Sequence, residues 1–277
     1  MASSTKVAVV TGSNKGVGFA IVRALCKQFD GDVILTSRDE GRGQEAVKAL
    51  SGEGLKPKFH QLDIDDPASI DRLRDFLKDQ YGGLDILVNN AGIAFKGEST
   101  ASFAEQAVVT IGTNFGSTLN ASEKLFPLLR PHARVSNVSS FVSNMAIKKC
   151  SEPLQTRFKD PKLTIEGLKQ LMAEFVSLAK EGKHEAAGWP NSAYGVSKIG
   201  VTVMSMVHQR RLDAEKREDI VVNACDPGYV DTDMSSHKGH KTIDQGAETP
   251  VMAALVPPNA TSPRGMFLSE KQVTVWG

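Results

Sequence analysis

The chain of 277 residues is short of cysteine, of net charge and of unbroken apolar runs, and each scarcity removes a class of function. Its three cysteines, Cys26, Cys150 and Cys225, stand far apart, odd in number and without metal-ligand partners at the usual intervals. That usage argues against a disulfide framework and fits a reducing compartment, the cytoplasm. Cys150 follows Lys148 and Lys149, whose charge could activate a thiol, but with no further partner it reads as inert. His237 and His240 are near neighbours without other ligands, so no metal site is expected. With 33 basic and 32 acidic residues spread along the chain, a net charge of +1 offers no footprint for nucleic acid or an anionic membrane. Charges interrupt the apolar stretches too often for a bilayer span, so a soluble protein is expected. Residues 1–6 lead into a strand-like segment without the zones of a signal peptide, and the mature chain is expected to begin near Met1.

What is present is an alternation of short apolar runs with longer amphipathic stretches, the pattern of strands and crossover helices in a parallel sheet. Strands are expected at 6–11, 32–37, 58–62, 85–88, 134–138 and 220–224, and helices at 18–29, 41–51, 67–81, 114–129 and 192–217. In the first helix Ile21, Val22, Leu25 and Phe29 recur at helical spacing, and Gly31 reads as its C-terminal signal. No repeat or low-complexity linker interrupts this order. It predicts one α/β domain over 1–277, a Rossmann-type doubly wound parallel sheet with helices on both faces. Residues 141–191 depart from the alternation. There Thr164 can cap a helix whose Leu168, Leu171, Met172, Phe175, Val176 and Ala179 form one apolar stripe ended by Gly182, an inserted helical segment laid against the main body.

Directly after the first strand, Gly12, Ser13, Asn14, Lys15, Gly16, Val17 and Gly18 open the first helix. Glycine suits a sharp turn and close approach to a pyrophosphate, and the helix start beyond it presents free N–H groups and a positive dipole end. Strand, glycine turn and amphipathic helix together favour dinucleotide binding. An acid at the end of the second strand would hold the ribose 2′-hydroxyl of NAD, but that strand ends at Ser37 and Arg38. Arg38 suits a 2′-phosphate, with Lys15 and Arg42 adding charge, so NADPH/NADP is the expected cofactor. Asp39 and Glu40 stand against this if the strand runs longer.

Tyr194 and Lys198, four residues apart on the helix that begins near Ser192, share one face. A free phenol titrates near about 10 and gives up its proton sluggishly at neutral pH, and a neighbouring cation draws it toward the working range. Alone, a tyrosine and a lysine at this spacing are more often a surface pair than a catalytic one.

Taken together, Thr11-Gly12 with Gly16-Val17-Gly18, Asn89-Asn90-Ala91-Gly92, Asn114, Ser139-Ser140, Tyr194 with Lys198, and Asp226-Pro227-Gly228 follow the order of the short-chain dehydrogenase/reductase family, which the chain resembles over nearly its whole length. Within that family it is similar to the monomeric cytosolic carbonyl reductases of animals, as judged from Gly31-Asp32-Val33, residues 59–66, Gly188-Trp189-Pro190 and residues 246–250, with the insert before Tyr194 in support. The resemblance implies that Tyr194 is the general acid, that Lys198 lowers its pKa and holds the nicotinamide ribose, that Ser140 rather than Ser139 bonds the substrate oxygen, and that Asn114 holds a relay water. It also implies that Leu62, Asp63 and Ile64 border the adenine, that Asn90, Ala91, Gly92 and Val138 line the cofactor groove, and that Pro227, Gly228, Val230 and Thr232 border the nicotinamide. Since many family members join subunits through helix faces that include the Tyr–Lys helix, the insert is a candidate cover for that surface, and a monomer is expected.

The carbonyl reductases it resembles have a second cysteine after the one matching Cys225 and a tryptophan after the Pro-Gly pair, where this chain has Asp226 and Tyr229. Thiol-dependent properties therefore do not carry over. Phe141, Val142, Tyr229 and Met234 are the expected substrate-facing positions beside Ser140 and Tyr194, an apolar wall suited to quinones, aromatic aldehydes and hydrophobic ketones, although each fits an ordinary core equally well. The expected function is NADPH-dependent reduction of a small carbonyl compound, with xenobiotic clearance or a dedicated lipid or pteridine substrate both open. An NAD(P)-dependent alcohol dehydrogenase and a non-catalytic dinucleotide-binding redox sensor are the alternatives.

Overall fold

The first apolar run becomes a strand covered on both faces: β1 (Val7–Val10) is buried at every residue, as a central parallel strand must be. The computed structural model describes residues 5–277; residues 1–4, and with them the expectation about the start of the mature chain, lie outside the described residues. After β1 come α1 (Gly16–Gln28), β2 (Asp32–Ser37), α2 (Glu40–Gly52), β3 (Lys58–Gln61), α3 (Pro67–Tyr81) and β4 (Leu84–Asn89). Then α4 (Phe103–Thr110), a π-helical stretch (Ile111–Ser117) and α5 (Thr118–Leu125) run on into β5 (Leu129–Val138). The insert holds α6 (Phe141–Lys149), α7 (Glu152–Lys159) and α8 (Ile165–Lys180). Next are α9 (Ala193–Ala214), β6 (Val221–Cys225), α10 (Ile243–Ala254), β7 (Phe267–Ser269) and β8 (Gln272–Thr274).

The strands form one sheet in the order β3-β2-β1-β4-β5-β6-β7-β8, parallel throughout except for the antiparallel pair β7–β8. The chain winds outward from β1 to β3 and returns to β4 on the other side of β1, so the crevice at the C-terminal ends of β1 and β4 is the switch point where this Rossmann-type fold takes ligands. Ile70, Leu73 and Leu77 of α3 with Leu125 of α5 cover one face of the sheet, and Ile21, Val22 and Leu25 of α1 with Val251 and Ala254 of α10 cover the other. A further apolar cluster is mainly helical. In it Leu168, Leu171, Met172, Phe175 and Ala179 of α8 pack with Ala107, Ile111, Phe115 and Leu119 and with Val196, Ile199 and Val203 of α9.

Several expectations need correction. The helix expected from 114 begins at Phe103, where Ser102 and Glu105 form a capping box. Gly31 does not cap α1, which ends at Gln28 with an extended Phe29; a Cβ on Gly31 would lie 2.5 Å from the Lys6 carbonyl oxygen, so the glycine admits a close backbone approach. The insert carries three helices where one was expected, and α10, β7 and β8 add elements beyond 224. Among the described residues no helix is long and apolar enough to cross a membrane, and no cluster of His, Cys, Asp or Glu could hold a metal ion.

Candidate active site

The turn after β1 carries glycine at the positions where the backbone favours it. Gly12 and Gly16 have φ of +60° and +59°, and a Cβ on Gly18 would lie 2.4 Å from Asn90 Nδ2. Asn90 Nδ2 donates to the carbonyls of Thr11 and Gly12, and the Thr11 hydroxyl accepts from the N–H groups of Asn90 and Ala91, each at 3.0 Å. The turns after β1 and β4 are thereby one unit. Thr11, half of that lock, was not among the expected site residues, although it begins the glycine motif. The start of α1 is bare: Lys15 makes no capping bond and no acid lies in the first turn. By contrast α2, α3, α4, α8, α9 and α10 are all capped by side chains. Uncapped N–H groups at the positive end of a helix, beside glycines that permit close approach, fit a pyrophosphate.

The end of β2 is pinned to this turn, because the Ser13 N–H donates to the Thr36 carbonyl at 2.8 Å and the Thr36 N–H donates to the Ser13 hydroxyl at 2.9 Å. Arg38 lies just beyond, exposed, with only its carbonyl engaged, by Gln61. Asp39, the acid that could have held a ribose, caps α2 by accepting the Arg42 N–H at 2.8 Å, and Arg42 Nε stands 3.6 Å from the same carboxylate. With that acid engaged, Arg38 is the group here suited to a 2′-phosphate. Lys15 is turned away from this rim toward Asp233, 2.5 Å distant. In the next turn Leu62 and Ile64 are buried, and Asp63 Oδ1 accepts the Asp65 N–H at 3.0 Å.

On the other side of the crevice, β5 ends at Val138 and α6 begins just after Ser140. The two serines take different parts. The Ser139 hydroxyl is buried, donates to the Lys198 carbonyl at 3.1 Å and shares a 2.6 Å bond with Thr202. Thr202 donates on to Ser143, which also accepts from the Trp276 indole N–H at 3.0 Å. Ser140 caps α6 by accepting the Val142 N–H at 3.2 Å, and its hydroxyl interacts with Tyr194. The Lys198 ammonium is 5.7 Å from the centre of the Tyr194 ring and donates to the Val138 carbonyl at 2.9 Å. Asn114 sits in the π-helical stretch, where Oδ1 accepts the Ile93 N–H at 2.8 Å and Nδ2 donates to the Ile93 carbonyl and the Ser197 hydroxyl. Its amide thus ties the irregular segment after β4 to α9, and a relay water would have to share Oδ1. Asn114 Oδ1 and Lys198 Nζ flank Gly92, 3.0 and 3.7 Å from where its Cβ would be.

Burial pushes the Tyr194 phenol up to about 12, with the Ser140 hydroxyl opposing the rise and the Asp226 carboxylate adding to it. Burial draws the Lys198 ammonium down to about 8, against the opposing pull of Cys225 and Asp226. The expected lowering of the phenol by Lys198 does not offset this rise, since the ammonium is directed at the Val138 carbonyl. Tyr194 therefore keeps its proton at neutral pH. The thiols are buried to differing degrees, and burial raises Cys26 to about 11 and Cys150 and Cys225 to about 12, far from nucleophilic.

At the mouth, Phe141, Tyr229 and Met234 are 40%, 40% and 46% exposed, and Val142 is half-buried, so these four belong to a surface and not to the core. Met145, one turn along α6 from Phe141 and 50% exposed, joins that surface; its only sequence signal is the four-residue spacing. Pro227 and Gly228 form the turn after β6, with Gly228 at φ +79°. Val230 is buried and bridges to Lys241. Thr232 leans over the glycine turn, its Cγ2 3.4 Å from where a Cβ on Gly16 would be.

The family model described as short chain dehydrogenase matches residues 6–152. Over 277 residues, all of this chain and all of the relative, the chain is 56% identical to carbonyl reductase (NADPH) 1 of Rattus norvegicus and 52% identical to carbonyl reductase (NADPH) 3 of Homo sapiens. Among solved structures, salutaridine reductase from Papaver somniferum is similar with a TM-score of 0.84 and 31% identity, over 95% of this chain and 99% of that one. Menthone neomenthol reductase from Mentha piperita matches with a TM-score of 0.81 and 31% identity, over 98% of this chain and 100% of that one.

Proposed function

The chain belongs to the short chain dehydrogenase family, and from that premise we propose that it is an NADPH-dependent carbonyl reductase. The observation that carries this reading is the meeting of Ser140, Tyr194 and Lys198 at the crevice whose far wall is the bare start of α1. The full-length relatives with NADPH in their names support it.

The glycine turn and α1 would hold the pyrophosphate, Arg38 the 2′-phosphate, and Lys198 the nicotinamide ribose. When bound, the cofactor supplies a hydride to the carbonyl carbon. The protein's own part is the oxygen. The Ser140 hydroxyl polarises it by a hydrogen bond, and Tyr194, which retains its proton through neutral pH, delivers that proton as negative charge builds there. The phenolate left behind is then reprotonated from solvent, with the Lys198 ammonium 5.7 Å from the centre of its ring.

The exposed Phe141, Met145, Tyr229 and Met234 favour flat apolar carbonyl compounds such as quinones, aromatic aldehydes and hydrophobic ketones. Free, inert thiols support a reducing compartment, the cytoplasm. The apolar stripe of α8, buried against α4, the π-helical stretch and α9, supports a single-domain monomer.

The test is NADPH oxidation with menadione, an aromatic aldehyde and an aliphatic ketone, with NADH in parallel and Tyr194→Phe as control. The reading expects NADPH-selective turnover that falls by about 100-fold or more in Tyr194→Phe, with NADPH binding retained. Turnover with NADH alone overturns the cofactor, and NADPH binding without turnover of any carbonyl moves the sensor reading to the front.

A further inference from the structure

The carboxylate of Asp226 is buried without a cation bonded to it. It follows β6 directly, is 4% exposed, and accepts two hydrogen bonds from neutral groups, the Gly228 N–H on Oδ1 and the Ser269 hydroxyl on Oδ2, each at 3.0 Å. Lys241, which packs under Gly228, is paired with Glu270 instead. A carboxylate taken out of water with two neutral donors is strongly penalised unless a counter-charge shares its low-dielectric surroundings.

The candidate counter-charge is Lys198, which reaches the same end of the β5–β6 pair. Its ammonium is buried too and donates to the Val138 carbonyl. Val138 is in register with Cys225, and the Ser139 N–H donates to the Cys225 carbonyl at 2.7 Å. Asp226 and the Lys198 ammonium therefore occupy the same end of the β5–β6 pair. The titratable groups facing Lys198 are Tyr194 from α9 and Cys225 and Asp226 from the end of β6. The α6 start contributes the Ser140 hydroxyl, β5 a carbonyl and the π-helical stretch the Asn114 amide, none of which titrates.

We propose that Asp226 is a positioning residue for the proton-transfer pair: its buried negative charge keeps the Lys198 ammonium protonated, and its bond to the Gly228 N–H fixes the turn beside it. This rests on the reading of Tyr194 and Lys198 as the pair that serves the reduction. The signs agree, since Asp226 raises both groups. Removing the negative charge must let Lys198 lose its proton at lower pH, and Tyr194 likewise.

Asp226→Asn keeps an acceptor for the Gly228 N–H while removing the charge. The first readout is the 13Cε shift of lysine in cofactor-free protein, with the Lys198 resonance assigned by its disappearance in Lys198→Arg. We expect the Lys198 midpoint to fall by about one pH unit in Asp226→Asn. The alkaline limb of kcat/KM for carbonyl reduction should move the same way by a similar amount. Should Asp226→Asn fail to fold, Asp226→Ser, shorter and equally neutral, must give the same shift. A Lys198 midpoint unmoved in whichever variant folds overturns the proposal. If the wild-type protein turns over no carbonyl compound, the reductase reading fails, and the lysine titration still decides whether Asp226 governs Lys198.

Discussion

Lys15 and Asp233 face each other at 2.5 Å across the mouth of the crevice, one from the glycine turn after β1 and the other from the loop after β6. Both side chains are largely exposed, so the bond is weak and salt-sensitive, yet it withholds from the cofactor side a cation placed at the bare start of α1. Asp233→Asn is expected to tighten NADPH binding by about two- to fivefold at low ionic strength, with the gain vanishing in high salt. Fluorescence titration of NADPH at two salt concentrations reads this directly, and weaker binding at low salt would contradict it.

Arg38 should decide between the two nicotinamide cofactors, because Asp39 beside it is held by α2. A charge-assisted bond to a 2′-phosphate predicts that Arg38→Ala raises the KM for NADPH about 10- to 100-fold and leaves NADH unaffected. Equal losses with both cofactors would place Arg38 outside the phosphate site.

A separate electrostatic staple lies at the opposite end of the sheet. Asp219 accepts from Asn259, His132 and the buried Arg134, whose bonds overcome the effect of burial and hold the Asp219 carboxyl down at about 2. Since that is below the ordinary carboxylate value, its contribution to stability is complete above about pH 4 and is lost as the pH falls toward about 2. Asp219→Asn should lower the melting temperature at neutral pH by roughly 5–10 °C and flatten its fall between about pH 4 and 2. Calorimetry across that range would show whether wild type and variant converge in acid, as the pairing requires.

Phe175 is fully buried on α8 and meets Phe103 edge-on at 6.1 Å and Trp189 at 5.3 Å. Truncation to alanine should cost about 3–5 kcal/mol. If α8 is what keeps the chain a monomer, loosening it should also let copies associate. Size-exclusion chromatography coupled to light scattering should show Phe175→Ala self-associating at concentrations where the wild type does not.

The β1–glycine–α1 unit and the following strands could be read from the sequence because their apolar periods match the elements they form. Ser37 ends β2 and Pro67 begins α3 where the pattern places them. The helix starting at Phe103 is only half legible in the sequence, for a physical reason. Its buried residues Ala107, Ile111, Phe115 and Leu119 recur every four positions, a spacing that drifts about 40° per step on an α-helix, and the π-helical stretch takes up that drift. The capping box at Ser102 was the available signal. In α10 a box of Thr242 and Gln245 was likewise present, but Pro250 reads as a breaker; in the fold its carbonyl accepts from Ser136. Strands of three residues such as β7 and β8 are too short for any period. At the site, sequence order brought forward Tyr194, Lys198 and both serines. The resemblance favours Ser140 over Ser139, but the physical ground for the difference, Thr202 and Lys198 engaging Ser139 across the sheet end, is visible only in the fold.

The stripe of α8 has a further consequence for how the molecule behaves when dilute. An apolar helix face covered by a second subunit is exposed again whenever the protein falls below its dissociation constant. Here the cover is part of the same chain, joined through α7 and the residues leading to α9, so its effective concentration at that face does not depend on how much protein is present. The packing behind Tyr194 and Lys198 is thus set by the chain itself at any dilution.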